Sequence, residues 1–192
     1  MSKIFIISGG SGAGKTYLLR NIDKISKELK IVQKITSRER RTGEKEYDLK
    51  FGFSEEDVKK CDFYYQHREK WYGINKKDID DVIKNGQCPI FVVRRVSSII
   101  DLKKIYPGAV NTILFKSSLT KEELSNYLSH DGTPLQEIDK RLFSKYEDEC
   151  RTEYEQNSDV FDYTVVNNYD EEFIKTVGKY LLGKMQITGD NL

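Results

Sequence analysis

The chain of 192 residues has few of the residues that stabilise small secreted domains or bind metals. It contains three cysteines, two histidines, three prolines and one tryptophan. Cys61, Cys88 and Cys150 are odd in number and widely spaced, without a CxxC pair, which indicates free thiols rather than a disulfide framework. His67 and His130 lie too far apart in sequence to suggest a metal site. These shortages favour a reduced, cytoplasmic protein.

Long apolar runs and an excess of one charge are missing as well. Mean hydropathy is −0.63, and no segment approaches the ~18 apolar residues that a membrane span requires. Lys plus Arg number 32 and Asp plus Glu 31, so the formal net charge is +1. A nucleic-acid binder is usually clearly basic. We therefore expect neither a membrane nor a nucleic-acid partner, and a single domain long enough to bury its own core.

Apolar runs alternate with helical patterns along most of the chain. Short runs rich in apolar residues predict strands at 3–8, 89–93 and 110–115, and two more polar segments, 31–36 and 162–167, are also predicted as strands. Helical spacing predicts helices at 15–29, 75–85, 97–105 (capped by Ser97 or Ser98), from about 121, then one long charged helix ending near 155, and 170–182. This alternation predicts an α/β fold with three layers and a mainly parallel sheet.

Two segments interrupt this alternation. A polar stretch spans 37–72, and the sequence Ser129-His130-Asp131-Gly132-Thr133-Pro134 ends a helix. We predict one domain at 1–182, with a core at 1–33, 75–128 and 157–182. An acceptor-binding insertion is predicted at 34–74, a lid at 129–156 and a flexible tail at 183–192.

The strongest motif follows the first predicted strand and opens the first helix. It fits G-x-x-x-x-G-K-[ST] and consists of Gly9, Gly10, Ser11, Gly12, Ala13, Gly14, Lys15 and Thr16. Glycines let the backbone approach a ligand, and successive N–H groups with the helix N-terminus form an anion cradle. Lys15 can reach the β- and γ-phosphates, and the Thr16 hydroxyl can ligate Mg²⁺. The motif predicts binding of a nucleoside triphosphate.

A basic loop follows the second predicted strand. Residues 34–45 contain five basic and two acidic side chains. Such a loop is often merely solvated. Arginine, however, matches phosphate geometry with two donors in one plane, so Arg38 and Arg41 are candidates for holding the phosphate of a second substrate.

The pairing of SGGSGAGKT with TSRERRTGE resembles the guanylate kinase family. Further segments fall in that family's order: Trp71-Tyr72-Gly73, 106–109, Lys140-Arg141-Leu142 and Val165-Val166-Asn167-Asn168. The resemblance covers about 3–182. It implies a P-loop kinase core with a nucleoside-monophosphate-binding insertion and a lid, and phosphoryl transfer from ATP to GMP with Mg²⁺.

The resemblance also implies roles for individual residues. The ATP phosphates and Mg²⁺ would be held by Gly12, Gly14, Lys15 and Thr16. The acceptor phosphate would be held by Arg38, Arg41 and Tyr72. Arg141 would approach the transferring phosphoryl group, and Asn167 and Asn168 would lie beside the adenine.

Departures from the family's pattern fall where the family reads guanine. Lys34 stands in place of a serine, Tyr65 in place of a glutamate and Ile74 in place of a serine. Residues 49–51 lack a tyrosine, an Asp-x-Asp is replaced around Arg94-Arg95, and the lid lacks an Arg-Gly-Arg-Gly run. Lys34, Tyr65 and Arg95 are therefore candidate substrate-binding residues, with altered specificity.

Three functions remain open on the sequence. The first is an ATP-dependent kinase acting on a phosphorylated small molecule, a nucleoside monophosphate such as GMP or a sugar phosphate of the ribose-bisphosphate type. The second is a catalytically inactive guanylate-kinase-like binding module. The third is a nucleotide-driven switch or NTPase. We expect a monomer or homodimer.

Overall fold

Two β-sheets organise the chain in the computed structural model, which describes residues 2–41, 44–130 and 132–186. The larger sheet is wholly parallel, with the order β2-β7-β1-β8-β9. Its strands are β1 (Ile4–Gly9), β2 (Leu29–Ile31), β7 (Cys88–Val92), β8 (Val110–Ser117) and β9 (Tyr163–Asn167). The smaller sheet has the order β4-β3-β6-β5 and comprises β3 (Lys34–Thr36), β4 (Leu49–Lys50), β5 (Phe63–His67) and β6 (Lys70–Ile74).

The helices complete the fold. They are α1 (Lys15–Arg20), α2 (Ile22–Ile25), α3 (Glu55–Lys59), α4 (Lys76–Lys84), α5 (Val96–Ile105), α6 (Lys121–His130), α7 (Leu135–Leu142), α8 (Lys145–Gln156) and α9 (Glu171–Gln186). A 3-10 turn at Ser158–Val160 leads into β9.

Alternation along β1 builds a core on both faces of the larger sheet. Phe5 and Ile7 pack in a cluster with residues of α1 and α9, while Ile4 and Ile6 pack in another with residues of α4, α5 and α8. Burial on both faces explains why this strand reads as one continuous apolar run. The predicted α/β class with a mainly parallel sheet is confirmed.

The smaller sheet lies entirely within 34–74. Strands β5 and β6 form an antiparallel hairpin, and β6 also pairs antiparallel with β3. A separate small core is formed by α6 and α7, through Leu124, Leu128, Ile138 and Leu142. Arg68 and Glu69 form the two-residue turn of the hairpin, hereafter the hairpin tip.

Several predicted elements are divided in the structure. The single strand predicted at 31–36 is divided between two sheets, because the chain leaves the larger sheet after Ile31 and enters the smaller one at Lys34. The helix predicted at 15–29 is two short helices that meet at Asn21, and Leu29 begins β2. The long charged helix is two helices, separated at 143–144.

Helix ends also depart from prediction. Neither Ser97 nor Ser98 caps α5: its N-cap is Arg95, and the Val96 amide donates to Glu153 Oε1 of α8 at 2.9 Å. The Glu153 carboxylate of α8 thus caps the N-terminus of α5. Helix α9 continues to Gln186 rather than ending at 182, so 183–186 belong to a helix, and the rest of the predicted tail lies outside the described residues.

Candidate active site

The glycine loop, residues 9–16, joins β1 to α1 at the carboxyl edge of the larger sheet. Gly14 is the N-cap of α1 with φ +97°, and a Cβ there would lie 2.6 Å from the Asn167 side-chain nitrogen. Gly12 has φ +78°, and a Cβ there would lie 2.7 Å from Leu124. Both positions therefore require glycine, for backbone conformation and for space.

Lys15 folds back over the loop. Its Nζ donates to the carbonyl oxygens of Gly9 and Gly10, at 2.7 and 2.5 Å. Burial, followed by the positive charge of Arg94, holds the pKa of Lys15 well below its ordinary value. Thr16, the predicted Mg²⁺ ligand, is exposed at the start of α1.

A buried carboxylate from α8 occupies the mouth of the loop. Glu147 Oε1 accepts from the Ser11 amide at 2.6 Å, and Glu147 Oε2 lies 3.1 Å from Ser11 Oγ. Arg68 Nη2 and Arg94 Nη2 donate to Oε2 at 2.8 and 3.0 Å. We call Ser11, Arg68, Arg94 and Glu147 the loop cluster.

Opposing effects act on the pKa of Glu147. Burial alone would raise it, but Arg94, the Ser11 amide and Lys15 together bring it below its ordinary value. Glu147 is therefore ionised at neutral pH. An anion thus already lies against an amide of the loop, which supports the capacity of this cradle to bind negative charge.

The predicted pair Arg94-Arg95 divides between two surroundings. Arg94 points into the loop cluster, where its side chain is 15% exposed, and the net effect of its surroundings raises its pKa. Arg95 instead bonds Glu153 at 3.0 Å and the Gln66 carbonyl at 3.3 Å. The structure therefore places Arg94 in the loop cluster and pairs Arg95, the predicted substrate-binding residue, with Glu153 of α8.

Arg38 and Arg41 converge on a second carboxylate. Arg38 Nη2 donates to Glu44 Oε1 at 2.7 Å, and the Arg41 amide donates to Glu44 Oε2 at 3.1 Å. The Arg38 guanidinium also lies over the Phe51 ring, 5.0 Å from its centroid. We call Arg38, Arg41 and Glu44 the insertion cluster. The structure thus brings together the two arginines predicted to hold the acceptor phosphate.

The two clusters meet at helix α7. Arg41 Nε forms an ion pair with Glu137 Oε1 at 2.5 Å, and Arg68 Nη2 donates to the Arg141 carbonyl oxygen at 2.7 Å. Burial and the charge of Arg41 lower the pKa of Arg141 to about 10. The predicted catalytic Arg141 therefore lies within electrostatic reach of both clusters.

The remaining predicted substrate-binding residues lie in the insertion. Tyr65 and Tyr72 stack with ring centroids 5.4 Å apart. Lys34 is 2% exposed, and its Nζ donates to the Val92 carbonyl at 2.5 Å and to Asp48 at 3.2 Å. Its side chain links the two sheets, because Val92 ends β7.

Asn167 is buried at the end of β9 and braces the glycine loop. Its Nδ2 donates to the Ala13 carbonyl at 3.5 Å, and its Oδ1 accepts from the Tyr169 amide at 2.8 Å. Asn168 is exposed. The adenine-side role of both residues stays a prediction.

Comparison with known proteins places this geometry in a family. No family model matches the chain. A guanylate kinase of Oceanobacillus iheyensis is 31% identical over 172 residues, covering 86% of this chain and 79% of that protein. The chain belongs to the guanylate kinase family. A guanylate kinase of Clostridioides difficile is 30% identical, covering 94% of this chain and 85% of that protein.

The family resemblance extends to the fold. The crystal structure of guanylate kinase from Anaplasma phagocytophilum matches with a TM-score of 0.68 at 18% identity, covering 96% of this chain and 86% of that one. The predicted membership is thereby confirmed, and the chain is a phosphotransferase of the nucleotide-kinase type. In the described part of the chain, every helix is too short or too polar to cross a membrane.

Sequence reasoning missed Glu147 and Arg68. Glu147 lies in a charged stretch that reads as a solvated helix face, and Arg68 lies in a hairpin with no motif. The only available signal was indirect: an arginine and a glutamate at a two-residue turn are unusual, because such turns favour Asn-Gly.

Proposed function

We propose that this protein transfers the γ-phosphoryl group of ATP to the phosphate of a nucleoside monophosphate, with GMP as the first candidate. The observation that carries the proposal is the approach of the two clusters, one at the glycine loop and one at Arg38 and Arg41, linked through α7. Each already holds a carboxylate, which has the charge and acceptor geometry that a phosphate would present. The named guanylate kinase relatives support the same activity.

The glycine loop fits the phosphates of ATP. Its amides, the α1 N-terminus and Lys15 would neutralise their charge, and Thr16 would hold Mg²⁺, which offsets further charge when bound. Lys15 must first exchange its bonds to Gly9 and Gly10 for phosphate oxygens. Within the described residues, no group of three or more His, Cys, Asp or Glu side chains could hold a metal, so phosphate oxygens and water would supply most ligands.

Phosphoryl transfer requires that the two substrates be positioned and that the charge of their phosphates be neutralised. Arg38, Arg41 and Tyr72 would hold the acceptor phosphate, whose oxygen is already anionic and needs no general base. Arg141 would neutralise charge on the transferring group. Closure of the insertion and the α6–α8 region over the loop would exclude water and so limit ATP hydrolysis.

A sugar phosphate is the second candidate acceptor. Lys34 stands where the family has a serine, and its Nζ is engaged by Val92 and Asp48. Tyr65, at a position assigned to base recognition, stacks on Tyr72 instead of offering a carboxylate. These two differences favour an acceptor whose recognition does not depend on guanine.

The test is ADP formation with ATP, Mg²⁺ and a panel of acceptors: GMP, the other nucleoside monophosphates and ribose 1,5-bisphosphate. Turnover with GMP supports the first candidate, and turnover with the bisphosphate alone supports the second. ADP formation that no acceptor raises above background would contradict the kinase proposal. Fast hydrolysis without acceptor would indicate an NTPase, and tight ATP binding without turnover a binding module.

Two variants separate the roles of the clusters. Lys15→Ala should lower turnover by at least ~10²-fold, because a donor to the ATP phosphates is removed. Arg38→Ala should raise the acceptor KM by ~10-fold or more and leave acceptor-free hydrolysis unchanged. Lys45→Ala, in the same basic loop, is the matched control. Equal loss of both activities in Arg38→Ala would contradict its assigned role.

A further inference from the structure

We infer that Arg68, at the hairpin tip, is a further catalytic residue that contacts the transferred phosphoryl group. This inference rests on the proposed phosphoryl transfer. It concerns a residue outside the motifs that identify the family, in a hairpin that the sequence shows only as a run of aromatic and charged side chains.

The backbone of the hairpin tip is unusual. Arg68 and Glu69 have φ values of +51° and +58°, and neither is a glycine. Left-handed conformations are unfavourable for residues with a Cβ, so Asn-Gly pairs are preferred in such turns. Outliers of this kind cluster at functional sites. An arginine at a left-handed position, which glycine would adopt with less strain, indicates that its side chain has a role.

The Arg68 side chain reaches all three parts of the site. Nη2 lies 3.0 Å from Ser11 Oγ in the glycine loop and 2.8 Å from Glu147 Oε2. It also lies 2.7 Å from the carbonyl oxygen of Arg141 on α7. Arg68 belongs to the smaller sheet, but its guanidinium lies beside the glycine loop of the larger sheet. The insertion thereby places a positive charge where the ATP phosphates are proposed to bind.

Glu147 indicates where a phosphate would lie. Its carboxylate accepts from the Ser11 amide of the glycine loop and from Arg68 and Arg94. A phosphoryl oxygen that displaced this carboxylate would accept from the same three donors. Arg68 Nε is buried and has no hydrogen-bond partner among the described residues, so a donor remains for a further oxygen.

The chemistry needs such a cation. An oxygen of the acceptor phosphate forms a bond to the γ-phosphorus of ATP while the bond to the β,γ-bridging oxygen breaks. The electron pair of the broken bond leaves with ADP, and no proton has to move. Negative charge spreads over the equatorial and leaving oxygens, where an arginine donor is most effective. Because Arg68 shares the insertion with Arg38 and Arg41, the acceptor and this cation would arrive together.

The central experiment replaces Arg68 by glycine, which removes the guanidinium and suits the left-handed backbone. Arg68→Gly should lower kcat by ~10²-fold or more and change the ATP KM less than ~threefold. Lys70→Ala, which removes an exposed positive charge from the same hairpin, is the matched control and should keep kcat within ~twofold. Millimolar guanidinium should partly restore Arg68→Gly and leave the wild type unchanged, which a structural role would not produce.

A binding measurement separates failure of this inference from failure of the proposed function. Calorimetry with Mg-ADP and tetrafluoroaluminate, a planar mimic of the transferring group, should show affinity at least ~10-fold weaker in Arg68→Gly. A variant with wild-type kcat or wild-type affinity for the mimic overturns the role of Arg68. A wild type that forms no ADP with any acceptor refutes the proposed function instead, and the affinity comparison then decides only whether Arg68 contacts the bound phosphoryl mimic.

Discussion

The loop cluster and the insertion cluster both hold a carboxylate between arginines, but they differ in burial. The Glu147 side chain is 0% exposed, whereas that of Glu44 is 24% exposed. A buried charge depends on its partners, while an exposed one is also stabilised by water. The same pairing of residue types should therefore support folding at the glycine loop and mainly pre-arrange an accessible anion site in the insertion.

The largest expected effect is on the loop cluster. Glu147→Gln leaves the Arg68 and Arg94 guanidiniums without their shared anion, so we expect ~3–5 kcal/mol less stability in urea denaturation at pH 7. The isosteric amide keeps the volume, so packing should not account for the loss. A loss of stability under ~1 kcal/mol would contradict the proposal that the loop cluster contributes more to folding than the insertion cluster.

The Glu147 carboxylate should also make the stability of the fold depend on pH. The pKa of Glu147 is lower in the folded protein than its ordinary value, so its contribution is present above the unfolded-state pKa. That contribution is lost as pH falls from the ordinary pKa of a glutamate through the lower folded-state pKa of Glu147. Urea midpoints measured from pH 6 downward should therefore fall more steeply for the wild type than for Glu147→Gln; parallel curves would contradict this assignment.

A smaller effect is expected at the hairpin tip. Glu69→Gly removes a Cβ from a left-handed residue and should stabilise the protein by ~1–2 kcal/mol. The hydrogen bond lost, from Tyr146 to Glu69 at 3.2 Å, is exposed and contributes little. Lys70→Gly, in strand β6 beside the tip, is the control and should destabilise. Stabilisation of both variants by equal amounts would exclude backbone conformation as the cause.

The smallest effect is expected in the insertion cluster. Glu44→Gln should cost no more than ~1 kcal/mol in the same denaturation assay, because its ion pair with Arg38 is partly exposed. Added salt should shrink the difference from the wild type further. A cost equal to that of Glu147→Gln would show that exposure does not distinguish the clusters.

The sequence predicted whatever depended on local pattern. The glycine loop is visible as a short motif and the parallel core as an alternation of strands and helices, and the structure has both. The run 31–36 could not be divided from its residues alone, because both halves have residues compatible with a strand and only their pairing partners distinguish the two sheets. The three cysteines are free thiols, as predicted, and all three are buried.

Long-range contacts limited prediction of the site. Glu147 is 136 residues from Ser11, and nothing local marks it as the acidic residue that is buried. Arg94 and Arg95 are adjacent just past the end of β7, and only their distant partners on α8, Glu147 and Glu153, distinguish them. The Arg68 contact depends on a hairpin tip folding onto a loop 57 residues away.

The crossing between the two sheets has a consequence for engineering. The chain enters the smaller sheet after two residues, 32–33, and leaves it at Asn75, while Ile35 and Gly73 are paired neighbours in β3 and β6. The two points at which the chain enters and leaves the smaller sheet are therefore adjacent in space. Transplanting 34–74 between relatives should preserve the parent scaffold and carry acceptor preference with the transplanted piece, because Lys34 is anchored by the backbone carbonyl of Val92, which any residue at that position would offer.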